Sequence, residues 1–249
     1  MALFHAHFFS NALQLACAAD VVMPDARRDP GRPLATLWLL HGLSDDHSIW
    51  QRRTSIERYA AAYRLAVVMP CVHRSFYADM AHGMQYWTFL SEELPAKMRQ
   101  YFPLSARRSE NFVAGLSMGG YGAFKLALNL PRQYAAAASL SGALDVNRLY
   151  ALEERAAHMR QVFGDGPKGT VNDLFHAARK LSRSRQPRPR LYQWCGAEDF
   201  LLADNRRFRD HARKLGLKVD YHEGPGGHTW DKWDEQIQKV LEWMRVEKA

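Results

Sequence analysis

A serine lies at the centre of the motif Gly-Leu-Ser-Met-Gly at residues 115–119, between an apolar run, NFVA, and a helical pattern, YGAFKLAL. In a nucleophile elbow, a serine occupies a sharp turn from a strand into a helix, and the flanking glycines leave room for that turn. The start of the helix carries partial positive charge, which stabilises an oxyanion formed beside the serine. The pattern predicts Ser117 as a nucleophile, although a glycine-rich turn with an incidental serine has the same letters.

A serine hydroxyl needs a base that accepts its proton, and the base needs an acid that orients it. In enzymes with a nucleophile elbow, the acid follows the serine and the histidine follows the acid. Asp199 comes 82 residues after Ser117, just past a buried strand, and His228 comes 29 residues later, just past the last predicted strand. We therefore predict a triad of these three residues, with Glu198 as the competing acid and His222 as the competing base.

The loop after the run LATLWLL begins with His41 and Gly42 and continues to Leu43. In this architecture, that loop donates one backbone N–H to the oxyanion, and the residue after the nucleophile donates the second. The N–H groups of Leu43 and Met118 are therefore the predicted oxyanion hole, and His41 is interpreted as a brace for the loop. Aromatic residues of neighbouring loops are expected to divide between an acyl pocket and the core. The pocket candidates are Trp50, Trp87 and Trp230.

Short apolar runs bounded by Gly or Pro recur along the chain and are typical of buried parallel strands. The runs are residues 34–40, 65–69, 111–114, 134–140, 191–195 and 218–221. Helical patterns lie between several of them, at residues 121–130, 204–215 and 231–244. The N-terminal residues are predicted to form a pair of strands. This alternation predicts an α/β fold with a mostly parallel central sheet covered by helices on both faces.

One stretch interrupts the alternation. Residues 145–189 contain two helical patterns, 153–163 and 172–181, joined by a loop with Gly and Pro. We interpret this stretch as a small helical insertion above the C-terminal edge of the sheet. With no repeat and no linker visible, we predict a single domain over residues 1–249.

The composition excludes several classes of protein. With 249 residues, 47% of them apolar and 12% aromatic, the chain can bury a core without a metal or disulfide. No apolar run approaches the ~18 residues of a membrane span. Cys17, Cys71 and Cys195 are far apart, which argues against a disulfide framework or a zinc site. The first 26 residues lack Lys and Arg, so we expect a cytoplasmic protein rather than an exported one.

The formal net charge of +8 admits a nucleic-acid partner. The densest basic stretch, residues 180–190, carries no aromatic residue and no nucleic-acid-binding motif. We therefore interpret it as a solvated surface loop and predict no nucleic-acid or membrane partner. A milder interpretation is a positive field that attracts anionic substrates.

The chain resembles the esterase D group of α/β-hydrolases over nearly its whole length. This group includes S-formylglutathione hydrolases, tributyrin-type carboxylesterases and, more distantly, mycolyltransferases. The similar segments are LLHGLSDDHSIW (39–50), VVMP (67–70), YWTFLSEELP (86–95), FVAGLSMGGYGAFKLAL (112–128), SLSGAL (139–144), WCGAEDFL (194–201) and GGHTWDKW (226–233). The segments FFSNALQ (8–14) and GLSMGGYGAFKLAL are most similar to the tributyrin-esterase branch. The basic stretch 180–190 and the aromatic residues after His228 depart from the pattern.

The resemblance implies an α/β-hydrolase fold and places the nucleophile, acid and base on Ser117, Asp199 and His228. It implies a serine carboxylesterase that hydrolyses short acyl esters of small molecules through an acyl-enzyme, without a metal or cofactor. The alternatives are an S-formylglutathione hydrolase, which acts on a thioester, an acyltransferase, and a non-catalytic binding protein on a hydrolase scaffold. The sequence does not decide between a monomer and a homo-oligomer.

Overall fold

An eight-stranded sheet forms the centre of the computed structural model, which describes residues 1–24 and 31–248. The strands are β1 (Ala2–Ser10), β2 (Leu15–Met23), β3 (Ala35–Leu40), β4 (Leu65–Pro70), β5 (Asn111–Leu116), β6 (Ala136–Leu140), β7 (Arg190–Gly196) and β8 (Val219–Gly224). Their order in the sheet is β1-β2-β4-β3-β5-β6-β7-β8. Strands β3 to β8 pair in parallel, whereas β2 is antiparallel to both β1 and β4. The predicted mostly parallel sheet is confirmed.

Helices cover both faces of this sheet. They are α1 (Ile49–Arg53), α2 (Ile56–Ala60), α3 (Tyr86–Thr88), α4 (Leu94–Tyr101), α5 (Met118–Asn129), α6 (Val146–Tyr150), α7 (Ala156–Phe163), α8 (Leu174–Ser182), α9 (Leu202–Lys214) and α10 (Trp230–Met244). Successive side chains of a strand point to opposite faces, so β3 serves two cores. Leu37 and Leu39 pack with residues of α1, α2 and α10, and Trp38 and Leu40 pack on the other face with residues of α4, α5, α8 and α9.

The N-terminal strand pair is anchored by a glutamate from a distant helical segment. A π-helix, Phe89–Glu93, joins α3 to α4. The Glu93 carboxylate accepts hydrogen bonds from the Ser10 hydroxyl (2.5 Å) and from the N–H groups of Asn11 (2.7 Å) and Ala12 (3.0 Å). These bonds satisfy donors in the turn between β1 and β2, so the hairpin is held onto the sheet by this segment.

The structure divides the predicted insertion into two parts. Helix α6, a short 3₁₀ turn (Glu153–Arg155) and α7 follow β6, and residues of the first two line a cavity at the C-terminal edge of the sheet. Helix α8 instead packs beside α5 and α9. The predicted place above the edge is therefore wrong for α8, because its apolar side chains, including Leu174 and Leu181, belong to the core on one face of the sheet.

The basic stretch 180–190 runs from the end of α8 through the following turn to Arg190, the first residue of β7. Two of its arginines bind backbone carbonyl groups. Arg188 donates to the carbonyls of Ser182 (3.3 Å) and Gly216 (3.2 Å), and Arg190 donates to the last two carbonyls of α10. These two charged side chains therefore hold chain segments together. Across the described ranges, none of the helices has both the length and the apolar character that a membrane crossing requires.

Candidate active site

Ser117 occupies a strained turn between β5 and α5. Its backbone angles are φ 53° and ψ −117°, in a region that residues other than glycine seldom adopt. The turn is tight enough that a β-carbon on Gly115 would lie 2.5 Å from the carbonyl carbon of Gly119. Such strain persists only where the surrounding structure enforces it. The local geometry of the predicted elbow is therefore present, and it exposes the serine hydroxyl at the C-terminal edge of the sheet.

The structure brings Ser117, His228 and Asp199 into one chain of hydrogen bonds. The Nε2 atom of His228 lies 2.9 Å from Oγ of Ser117, and its Nδ1 atom lies 2.8 Å from Oδ2 of Asp199. Asp199 follows β7 and His228 follows β8, so all three residues lie at carboxyl ends of parallel strands. This hydrogen-bonded arrangement lets the imidazole accept the serine proton at one nitrogen while its other nitrogen stays bonded to the carboxylate.

The environment of Asp199 favours its charged form. Burial of the carboxyl group raises its pKa, but hydrogen bonds from His228 and from the Leu201 N–H (2.8 Å), together with the charge of His228, bring the pKa below its ordinary value. A carboxylate next to an imidazole stabilises the imidazolium that forms when the serine proton moves. Asp199 is therefore ionised in the neutral range.

The two competing residues have other partners. The Glu198 carboxylate accepts a hydrogen bond from the Gly226 N–H and so ties the loop after β7 to the loop that carries His228. His222 lies on β8 with about half of its side chain exposed, 2.9 Å from a carboxylate oxygen of Asp220. Neither side chain contacts Ser117 in the described structure, so the geometry favours Asp199 and His228.

A cavity of about 330 Å³ opens over Ser117 and His228. The predicted oxyanion residues Leu43 and Met118 both line it. Met118 is the first residue of α5, and N–H groups in the first turn of a helix lack an acceptor within the helix. The Met118 N–H therefore has no acceptor within α5.

Only one of the three tryptophans proposed for the pocket lines the cavity. Trp230 does, whereas Trp50 is fully buried behind it, with ring centroids 5.2 Å apart and its indole N–H bonded to the Leu40 carbonyl (3.0 Å). Trp87 packs against the ammonium group of Lys125 at 4.6 Å. The prediction for Trp50 and Trp87 is therefore wrong, because both rings are needed elsewhere in the packing. Apolar wall residues that were not among the pocket candidates include Phe76, Leu149, Phe200 and Trp233.

Besides His228, the described residues that line the cavity include one acidic and one basic side chain, Asp45 and Arg155. Asp45 lies in the loop after β3, and burial raises the pKa of its carboxyl group. Arg155 ends the 3₁₀ turn between α6 and α7. In the part of the chain that the structure describes, no carboxylate forms an ion pair with Arg155. An arginine that lines a cavity without such an ion pair can bind an anionic group of a ligand.

Cys17, Cys71 and Cys195 are free and buried. No cluster of three or more His, Cys, Asp or Glu side chains suited to a metal ion occurs within residues 1–24 and 31–248.

Comparisons with known proteins find similar sequences over most of the chain. The model of the Esterase family matches residues 10–244. An acetyl esterase of Caldicellulosiruptor saccharolyticus is 31% identical over 98% of this chain and 98% of its own length.

Two solved structures from Staphylococcus aureus are similar over 98% of both chains. The fluorophosphonate-binding serine hydrolase FphF has 36% identity and a TM-score of 0.92. An S-formylglutathione hydrolase, FrmB, has 35% identity and a TM-score of 0.87. Together with the strand order, these similarities confirm the α/β-hydrolase fold.

Proposed function

Because this chain belongs to the Esterase family and is a serine hydrolase that acts on ester bonds of small molecules, we propose that it hydrolyses short-chain acyl esters with Ser117 as nucleophile, His228 as general base and Asp199 as the orienting acid. The observation that carries the proposal is the continuous hydrogen-bonded chain Ser117–His228–Asp199, whose first two members line one cavity. Its central test, replacement of Ser117, opens the Discussion.

In the first half of the reaction, Oγ of Ser117 attacks the ester carbonyl while Nε2 of His228 accepts the hydroxyl proton. The carbonyl oxygen becomes an oxyanion, which the N–H groups of Leu43 and Met118 bind. The tetrahedral intermediate collapses, the bond to the leaving alcohol breaks, and His228 returns its proton to that alcohol. An acyl-enzyme on Ser117 remains.

In the second half, His228 takes a proton from water, whose oxygen attacks the acyl carbonyl. The second oxyanion occupies the same donors, and its collapse releases the carboxylic acid as Ser117 recovers its proton. In this scheme, the same residues of the site catalyse both half-reactions. Asp199 stays ionised and keeps the imidazole in the tautomer that can accept at Nε2.

We expect the rate to be highest for short acyl chains. The cavity of about 330 Å³ must hold both halves of the ester, and bulky rings of Phe76, Phe200 and Trp230 wall it. Each methylene that fits gains roughly 0.8 kcal/mol of burial, whereas one that does not fit adds strain. Across p-nitrophenyl esters of increasing acyl length, kcat/KM should be highest for acyl chains of about two to four carbons and fall for longer ones. A maximum at octanoate or longer would contradict this and indicate an open, lipase-like site.

A second candidate substrate is an acyl thioester of glutathione, and Arg155 favours it. Glutathione carries carboxylates, and a carboxylate near Arg155 would gain a charge-assisted hydrogen bond in a partly enclosed site. The similarity to an S-formylglutathione hydrolase supports the same candidate. The triad chemistry is unchanged, because a thiolate leaves in place of an alkoxide.

Arg155→Gln should lower kcat/KM for S-formylglutathione about tenfold and leave that for p-nitrophenyl acetate within about twofold, since a hydrogen bond between charged groups contributes about 1.5–3 kcal/mol. Arg160→Gln, on α7 of the same segment, is the control, because Arg160 is exposed and does not line the cavity. An equal loss for both substrates, or negligible turnover of S-formylglutathione by the wild type, would count against this candidate.

We also propose a cytoplasmic location. The support is chemical: the three cysteines are unpaired, which is typical of proteins kept in a reducing compartment.

A further inference from the structure

The loop that carries one predicted oxyanion donor is fixed at three successive carbonyl groups. We define the oxyanion loop as residues 40–43. Its Leu40 carbonyl accepts from the indole of Trp50 (3.0 Å), its His41 carbonyl accepts from the hydroxyl of Tyr77 (2.7 Å), and its Gly42 carbonyl lies 2.7 Å from Nδ1 of His41. A carbonyl and the next N–H share one planar peptide unit. Fixing the Gly42 carbonyl therefore fixes the direction of the Leu43 N–H.

The hydrogen bonds around His41 define its protonation state. The backbone N–H of Val72 donates to Nε2 at 3.1 Å, so Nδ1 carries the proton and donates to the Gly42 carbonyl. Burial lowers the pKa of His41 to about 4, and the ring is therefore neutral at working pH. A neutral ring with both nitrogens engaged is suited to bracing the loop.

Tyr77 reaches this loop from a strained segment. Phe76 and Tyr77 have φ values of 50° and 53°, in the left-handed region that bulky residues rarely adopt. Tyr77 is fully buried, and its ring lies so close to α5 that a β-carbon on Gly122 would come within 2.5 Å of it. Two adjacent residues in this conformation cost free energy, which other contacts must offset.

A fully buried lysine makes one of the contacts that hold this segment. Nζ of Lys125 donates to the Tyr77 carbonyl (2.7 Å) and to Oδ1 of Asn172 (2.5 Å), and it lies 4.6 Å from the ring centroid of Trp87. A buried ammonium group requires such partners. Burial lowers the pKa of Lys125 to about 7, and the amine has N–H groups for these acceptors in either protonation state.

We propose that Tyr77 is a positioning residue for the reaction, that its hydroxyl sets the orientation of the oxyanion loop through the His41 carbonyl, and that Lys125 fixes Tyr77 in place. The inference rests on the proposed function, because it concerns the oxyanion hole of that same site. Tyr77 touches no substrate in this role. It acts through the peptide planes that aim the Leu43 N–H.

Tyr77→Phe removes only the hydroxyl and should lower kcat for p-nitrophenyl acetate about tenfold, with KM within about twofold of wild type. Complete loss of an oxyanion donor lowers kcat by about 10²–10³, and a misdirected donor loses part of that. The affinity for a trifluoromethyl ketone, which forms an oxyanion on the serine, should fall by about the same factor as kcat/KM. Lys125→Met should reproduce this pattern.

The matched control is Tyr150→Phe. The Tyr150 hydroxyl also donates to a backbone carbonyl, that of Gly164 (2.8 Å), and it has no bond to the oxyanion loop or to Lys125. Both tyrosine variants should lower Tm to a similar extent, but only Tyr77→Phe should lower kcat and inhibitor affinity. Equal kinetic losses, or wild-type kinetics in Tyr77→Phe, would overturn the inference. Failure of the proposed function itself would be recognised separately, by ester hydrolysis that survives Ser117→Ala.

Discussion

Replacing Ser117 by alanine is expected to lower kcat for p-nitrophenyl acetate by at least about 10⁴-fold. The hydroxyl is the atom that forms the acyl-enzyme, and without it His228 has no nucleophile to activate. The oxyanion donors and the cavity remain, so a small residual rate over the uncatalysed reaction is expected. The fold should be unaffected, because alanine adds no atoms to the turn between β5 and α5.

The measurement is steady-state hydrolysis together with covalent labelling by a fluorophosphonate, which reacts with activated serines. Ser44→Ala is the control, because this second serine lines the same cavity and has no bond to His228 in the described structure. The control should hydrolyse and label as the wild type does. The assignment of Ser117 fails if its variant retains more than about a tenth of kcat at an unchanged Tm.

Asp199→Asn is expected to reduce kcat by at least about 10²-fold more than Glu198→Gln. An amide in place of the buried carboxylate can donate to Nδ1 of His228, which moves the imidazole proton to Nε2 and prevents that nitrogen from accepting the serine proton. In a well-studied serine protease, the corresponding change costs about 10⁴ in kcat. Glu198 only ties Gly226 to the neighbouring loop, so its amide variant should retain most activity.

The readout is kcat for both variants with Tm measured alongside, since the two residues are adjacent and the substitutions remove the same charge. The Asp199→Asn variant should also be labelled by the fluorophosphonate more slowly than the wild type. The opposite ranking of the two variants would transfer the role of the acid to Glu198.

The positions of the central strands along the chain could be predicted because these strands are buried on both faces. The runs that became β3 and β4 are almost entirely apolar and are followed closely by Gly or Pro, so their bounds shifted by only a residue or so in the structure. The elbow was visible for a related reason. The glycines of the elbow are required because two backbone segments approach closely there, so the requirement can be read from the sequence motif.

The walls of the cavity could not be predicted in the same way. Trp50 and Trp230 both follow strands, and the sequence does not encode which ring covers the other. The helical segment from Tyr86 to Tyr101 was also missed, because its π-helix breaks the period that indicates a helix. Contacts between residues far apart in the chain, such as Lys125 with Tyr77, leave no local pattern at all.

The chain segment that carries Leu149 and Arg155 bears on how such enzymes diversify. Both residues reach the cavity from a segment that contributes no strand to the sheet, whereas Ser117, Asp199 and His228 lie on loops at the ends of β5, β7 and β8. Substrate preference can therefore change by substitution of cavity-lining side chains such as Arg155, while the apolar side chains that the α6–α7 segment contributes to the core stay the same. At such positions selection can alter function with little effect on stability, because partly exposed positions tolerate changes that buried ones do not.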